Sequence, residues 1–578
     1  MRVYKSGSIA ALVYVLTLVH GCSFESSADE SMTKGNSLKK NKINKGIAFD
    51  LEAFILKEVK SGKKRVVIPP GRHRVKPVKR NHLLLANLND IEIIADGVEM
   101  ICTETTRAIS IHNCKNLTIK GLSIDYDPLP FTQGKITRIS DDKLTIDITL
   151  FDGYPSEGIS TSKFEIFDSK TNELRFGSYF DSKIKIINKK QIRVIKSGRF
   201  AKNNLYMGEK VGDIAVLDCN FSPGGKIPHA IYMQDSENIV LEDVTVFGSN
   251  CFSYLEVGCN SSIYKRCHVA RRPQESDLKK RGYPRLRSGN ADAFHSKGAE
   301  KGPAIIECSA MYMGDDAVAV NGHYDLITES KGKVLRVLAK REMEIKVGDT
   351  VEILSYEGKR LKDAKVISIK AVGSISQDER KFLKKQRMDS RLKDAKKMLK
   401  DAYSITLDRE VQLSKGSMIC PINKMGNGFL IKNCIFGNNR SRGILIKGSN
   451  GKITGNKLTG SWGEAIKIAP EFWWLEAGSS SDIEISNNHI SDCKSVAIAV
   501  YSFAGDLKKI SPAGSHYNIS VTDNTISSSP KPGILITSTD GLVLKRNKLN
   551  LTKKAANFRL LKKHDPVVII NSKNIERD

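Results

Sequence analysis

The feature that most constrains this chain is a short unit recurring through its C-terminal half. Ile483-Glu-Ile-Ser-Asn-Asn-His-Ile, Ile519-Ser-Val-Thr-Asp-Asn-Thr-Ile and Leu542-Val-Leu-Lys-Arg-Asn-Lys-Leu share the pattern I-x-I/V-x-x-N-x-I/L. Phe429-Leu-Ile-Lys-Asn-Cys-Ile-Phe-Gly and Gly451-Lys-Ile-Thr-Gly-Asn-Lys-Leu are looser copies. Aligning the asparagines gives 547 − 524 = 23 and 456 − 433 = 23. That period is too long for a left-handed hexapeptide helix, and the Leu-rich consensus of leucine-rich repeats is absent. It matches one three-strand coil of a right-handed parallel β-helix, with apolar residues stacked inside and Asn or Gly at left-handed bends. A solenoid also accommodates 578 residues, because it grows along one axis instead of around one core. The expected class is all-β.

Two stretches break the period, 136–218 and 324–419, and read as alternating strands with turns, as in Val347-Gly-Asp-Thr-Val-Glu-Ile-Leu. They are expected to be small β-barrel-like domains inserted between coils, the second with a Lys-rich helical piece from Glu379 to Lys400. The β-helix then occupies 47–135, 219–323 and 420–578. Its first segment opens with Asp50 capping an amphipathic helix, Leu51 to Lys60, and then Arg65-Val-Val-Ile-Pro-Pro-Gly71. A helix there would cover the otherwise open edge of the first coil.

Ahead of it, Arg2 and Lys5 precede an apolar run from Ile9 to Val19, too short to span a bilayer but of signal-peptide length. Gly21-Cys22 resembles a bacterial lipoprotein cleavage site, so 1–21 is expected to be removed and Cys22 lipidated, with 22–46 a polar tether. Export, and a membrane contact made only through that anchor to the cell envelope, follow. The net charge of +28 raises nucleic acid as a partner, yet no zinc-finger, RNP or helix-turn-helix signature accompanies it and the lysines are scattered. A solvated basic surface is the reading, with no nucleic acid. Beyond Cys22 there are 10 cysteines, without CxxC or Cys/His spacing, so no metal site is assigned.

Asn290-Ala-Asp-Ala-Phe-His-Ser and Met313-Gly-Asp-Asp-Ala-Val-Ala-Val carry the chemistry. Asp292 and Asp316 are 316 − 292 = 24 residues apart, one coil, which places Asp316 over Asp292 at ~4.8 Å along the axis, with Asp315 on the bend beside them. Three carboxylates so close cannot all ionise cheaply, so one pKa rises and an acid sits beside a base. An Asp ladder at coil corners, holding calcium, is the competing structural reading; His295 alongside argues for chemistry. Further along, Trp462 to Glu476 holds all three tryptophans, with Glu464 and Glu471. Aromatic faces and carboxylates suit a sugar, and Trp473, Glu464 and Glu471 are candidate binders, though a hydrophobic plug over one coil would use the same residues. Arg271 and Arg272, about one coil before Asp292 by count, and Glu256 further back are candidate hydroxyl binders.

Ile124-Asp-Tyr-Asp-Pro-Leu-Pro-Phe-Thr-Gln-Gly134, Asn290 to Gly298, Met311 to Gly322 and Trp462 to Gly478 together resemble glycoside hydrolase family 110. These are bacterial exo-α-1,3-galactosidases acting on blood-group-B-type structures, and the resemblance covers nearly the whole mature chain. It implies a β-helix with two inserted β-domains and an inverting mechanism without cofactor. Asp292 would be the general acid, and Asp315 and Asp316 share the base side without the sequence choosing between them. The partner implied is a galactose-terminated glycan; a homodimer is allowed and not required. A polygalacturonase-type hydrolase also uses a Gly-Asp-Asp motif, but Gly322-His323 follows too soon for its GHG turn, and Arg442-Gly-Ile-Leu-Ile-Lys447 is only a loose echo of its R-I-K triplet. A non-catalytic sugar-binding surface protein is the remaining alternative.

Overall fold

The computed structural model describes residues 49–578 apart from 181, 198–207, 223–227, 395–396, 557, 559–560 and 562–564. Cys22, the signal segment and the tether lie outside the described residues. From Leu51 the chain forms a helix, Leu51–Lys60, whose N-cap Asp50 side chain accepts from Ala53 N at 2.9 Å; Leu51 and Ile55 are buried. Parallel strands then wind into a β-helix. One sheet runs through Asn81–Ala86, Arg107–His112, Ile231–Gln234, Tyr254–Val257, Phe294–Lys297, Val318–His323, Ile444–Ile446 and Ile466–Ile468, ending at Val567–Ile570. Its register is continuous: Ile109, Ile231, Tyr254, Phe294, Val318, Ile444 and Ile466 pair in succession.

Because each coil lies on the last, like positions fill the interior as columns. Tyr254 and Phe294 stack at 4.8 Å between centroids, and Val318, Ile444, Ile466, Ile498 and Ile534 continue the buried line. Each fully buried aliphatic contributes ~1.5–3 kcal/mol. At one corner the column is polar. Asn456, Asn488, Asn524 and Asn547 form a ladder in which each side-chain oxygen accepts from the backbone N–H of the preceding coil's asparagine at 3.0–3.1 Å. The ladder continues upward as Cys434, whose N–H donates to Asn456 Oδ1 at 2.9 Å, then Cys308 and Cys267. Asn433 therefore is not the equivalent of Asn456. It pairs with Gly455 at the left-handed bend, φ 55° against 68°, and the spacing there is 456 − 434 = 22. A bend asparagine and a ladder asparagine look alike in sequence but point to opposite sides of the wall.

The first insertion begins earlier than 136. Phe131–Ile139 already pairs antiparallel with Ile214–Cys219, in a seven-stranded sheet. The second is a closed six-stranded barrel from Asp325–Lys331 to Met418–Pro421. Its Lys-rich piece is a shorter helix than expected, Gln377–Lys385, started by a Ser376/Glu379 capping box. Among the described residues no helix is long and apolar enough to cross a membrane.

The ladder yields a test. Asn488 Nδ2 donates to Ile453 O at 2.9 Å and its Oδ1 accepts from Asn456 N at 3.0 Å, so Asn488→Ala strands two buried groups on the preceding coil. The expected loss is about 2–4 kcal/mol, read as a lower denaturant midpoint. A change below about 0.5 kcal/mol would mean that the ladder contributes little.

Candidate active site

Two residues before each paired position of that sheet, the chain leaves the bend and faces outward. The register puts Arg107, His229, Phe252, Asp292, Asp316, Arg442 and Glu464 in one such column. Asp292 and Asp316 are thereby stacked on adjacent coils, and Ala293 N donates to Asp316 O at 3.0 Å. Asp315 joins them on the bend, and one atom of each of the three carboxylates lies within 4.8 Å of the others.

Their surroundings differ. Asp292 is 4% exposed, and burial, then the Asp315 charge, pushes its carboxyl up to about 8. Its Oδ2 lies 2.6 Å from His295 Nδ1, and His295 Nε2 lies 3.0 Å from Asn321 Oδ1. Asn321 uses its Nδ2 to donate to Gly322 O at 2.7 Å, so its Oδ1 is the atom that accepts from His295. With Nε2 donating, Nδ1 of the neutral imidazole presents a lone pair to Asp292, and the proton between them resides on the carboxyl. Burial, then Lys297, holds the imidazole well below its ordinary pKa, which is consistent with that assignment.

Opposite this protonated acid, Asp316 receives Arg442 twice, from Nη2 at 2.9 Å and from the backbone N–H at 2.8 Å. Burial still raises it to about 7 against Arg442. Asp315 forms an ion pair with Arg440, whose Nε donates to Gly314 O at 2.5 Å. Two guanidiniums therefore take the neutralising place that a cation would fill in the calcium alternative.

A hairpin closes the C-terminal end of this column. Glu476–Ala477 pairs antiparallel with Gly322 and His323, and Glu471 bridges back to Glu476. The hairpin starts two coils beyond Val318–His323 and returns to it, so it crosses the coil between. Lys447 is fully buried there, 2.8 Å from Glu476 and 3.6 Å from Glu471. Glu471 also meets Lys467 at 2.6 Å and Arg442 at 3.9 Å. Burial opposes its ionisation, but Lys467, Lys447 and Arg442 outweigh it and hold Glu471 at about 2. Glu471 Oε2 and Arg442 Nε are buried without hydrogen-bond partners, and Oε2 lies between the charges of Lys447 and Arg442.

Glu464, in the column beyond Arg442, accepts from Tyr501 OH at 3.4 Å. Trp473 is 41% exposed and meets Trp474 edge-on at 6.5 Å, while Trp462 packs against the first insertion's core. The three tryptophans therefore do not form one cluster. Glu256 lies outside the site: two residues from inward-facing Tyr254, it is buried in the β-helix and accepts from Tyr264 OH at 3.0 Å. Arg271 is placed elsewhere too. It donates to Leu286 O at 2.8 Å and lies 3.4 Å over the Tyr312 ring, while its Nη2 reaches Asn172 O of the first insertion at 3.2 Å. Arg272 binds Asp125 at 2.8 Å. Counting back one period misplaced both, because this coil is lengthened by an excursion containing the helix Gln274–Arg281.

Comparison with known proteins adds an independent line. A family model described as a right-handed beta helix region matches residues 398–549. The chain is 25% identical to alpha-1,3-galactosidase B of Bacteroides thetaiotaomicron, over 81% of this chain and 74% of that protein. It is 22% identical to alpha-1,3-galactosidase B of Phocaeicola vulgatus over 82% and 80%. The resemblance to family 110 is borne out. Among solved structures, a polygalacturonase from Erwinia carotovora ssp. carotovora aligns over 94% of this chain and 99% of its own at 11% identity and a TM-score of 0.38. At that score the likeness adds nothing to the fold that the strand pairing already gives.

The raised acid has a stability consequence. A carboxyl whose folded pKa exceeds its unfolded value supports the fold below the unfolded pKa and loses that support as pH rises through the folded one. Asp292→Asn is therefore expected to gain Tm relative to the natural chain as pH climbs from about 4 to about 8. A gap that stays flat across that range would mean that Asp292 titrates as an ordinary aspartate.

Proposed function

We propose that the chain is an exo-acting glycoside hydrolase that removes terminal α-1,3-linked galactose from blood-group-B-type or linear glycans with inversion of configuration. The observation that carries this reading is the pairing of a proton-holding Asp292 with two arginine-paired carboxylates one coil on, beneath a hairpin that ends the groove. Asp292 passes its proton to the glycosidic oxygen as the bond to the anomeric carbon breaks. Asp315 and Asp316 take a proton from water, whose oxygen attacks that carbon from the opposite face. Arg440 and Arg442 hold the base side anionic. Glu471 and Arg442, beside Asp316, bind galactose hydroxyls in this reading, and the hairpin at that end is the barrier that exo action requires.

Inverting pairs usually stand ~6.5–9.5 Å apart to admit the water. The nearest oxygens here are closer, and Asp315, whose side chain is 30% exposed, is the member that opens toward solvent and gives that water access. The curated relatives support the galactoside over the galacturonide, and so does the absence of a GHG turn at the required spacing. For location, we propose lipid anchoring at Cys22. Labelled palmitate should enter the natural chain when expressed in a bacterium and not Cys22→Ser; equal labelling would contradict it.

The activity is tested directly by incubating the protein with a terminal α-1,3-galactoside and with polygalacturonate. Free galactose from the first and no galacturonate from the second is the expected result, and the reverse would establish the polygalacturonase alternative. Asp292→Asn should lower kcat about 10³-fold on the galactoside. The natural protein's kcat/KM should fall above about pH 8, as Asp292 loses its proton, and below about pH 7, as Asp316 gains one. A galactose-binding protein without turnover would contradict the enzymatic reading.

A further inference from the structure

The outward column does not end at Asp292; toward the N-terminus it becomes aromatic. Phe252, one coil before Asp292, stacks on His295 at 4.6 Å and 18° and meets His229 of the preceding coil at 4.8 Å. His229 lies 6.4 Å from Tyr232 at 20°, and Tyr232 lies 5.6 Å from His112 on the coil before that. The Arg107 guanidinium covers the Tyr232 ring at 3.9 Å, and Arg107 Nε is buried with no hydrogen-bond partner. Phe252, His229, Tyr232 and His112 are all half-buried, so part of each ring is exposed. This continuous strip spans three coils at ~4.8 Å each, and one coil is about the length of a pyranose residue.

The two ends of the groove are unlike. Beyond Asp316 the hairpin sets charged side chains against it, with Glu471 3.9 Å from Arg442; before Asp292 the described residues present rings. Asp292, the proton donor, adjoins the aromatic side through His295 and Phe252, and the leaving group must sit beside the proton donor. We propose that Phe252, His229, Tyr232 and Arg107 form an extended binding strip for the departing glycan, so that the substrate is an oligosaccharide chain laid along the β-helix axis toward the N-terminus. This rests on the galactosidase reading. The exposed parts of the rings meet the C–H surfaces of successive sugars, and the half-buried Arg107 guanidinium donates to a hydroxyl of the outermost one.

The experiment measures kcat/KM for a di-, tri- and tetrasaccharide, each ending in the same α-1,3-galactose. In the natural protein the value should rise by about three- to tenfold with each added sugar, the scale of one aromatic contact. In Tyr232→Ala the tetrasaccharide-to-disaccharide ratio should fall by about tenfold, and in Tyr232→Phe it should be retained, with the melting temperature of both unchanged. A natural protein indifferent to chain length, or a ratio unchanged in Tyr232→Ala, would overturn the strip while leaving the galactosidase reading intact. Turnover of none of the three would overturn both.

Discussion

Parallel strands stacked one coil apart force like positions into contact, and most of what is distinctive in this molecule follows from that. Where the repeated residue is apolar, stacking produces a core column such as Tyr254, Phe294 and Val318. Where it is asparagine, each side chain satisfies the backbone of its neighbour and the ladder Asn456 to Asn547 results. Where it is aspartate, no such relief exists. Asp292 and Asp316 face the same way on adjacent coils with Asp315 beside them, and the crowding is resolved by unequal means. Arg440 and Arg442 neutralise two members, and the third shares a proton with His295. An acid and a base are thus produced from one residue type by one geometric constraint.

Both insertions are tied to the segments that build the site. Arg287 is fully buried and binds Glu165 at 2.7 Å and Asp218 at 2.5 Å from the first insertion while holding Asn290 at 3.0 Å. Such burial of charge is costly unless paired on every side, so the loop carrying Asp292 and the insertion are fixed to each other. On the other side Lys340 of the second insertion donates to Leu475 O at 3.0 Å and steadies the hairpin. Burial brings Lys340 down to about 7, so that contact weakens as it loses its proton.

The β-helix was legible because the Ile-x-Ile/Val-x-x-Asn unit recurs from Gly451 onward even where successive ladder asparagines stand 32 and 36 residues apart, and the spacing of 24 between Asp292 and Asp316 is one uninterrupted coil. Residues beyond an interruption were not legible in the same way. Arg442 is Asp316's neighbour in space but lies 442 − 316 = 126 residues away, across the second insertion, so coil counting could not place it. Lys447, read only as part of a loose motif echo, is buried under the hairpin for the same reason. Arg271 failed in the opposite direction: a count of one period assumed a coil of ordinary length where a helix had been added. Glu256 failed on parity, since one residue decides whether a side chain on a β-strand faces the core or the groove.

The central claim is that Asp292 donates a proton across the scissile bond from carboxylates that deliver water to its far face. A proton-NMR time course on a terminal α-1,3-galactoside tests it most directly, because the anomer first released reports the face attacked. The account predicts β-galactose first, with α-galactose appearing only by mutarotation. α-Galactose as the initial product would contradict it, and would make one of the base-side aspartates a nucleophile instead.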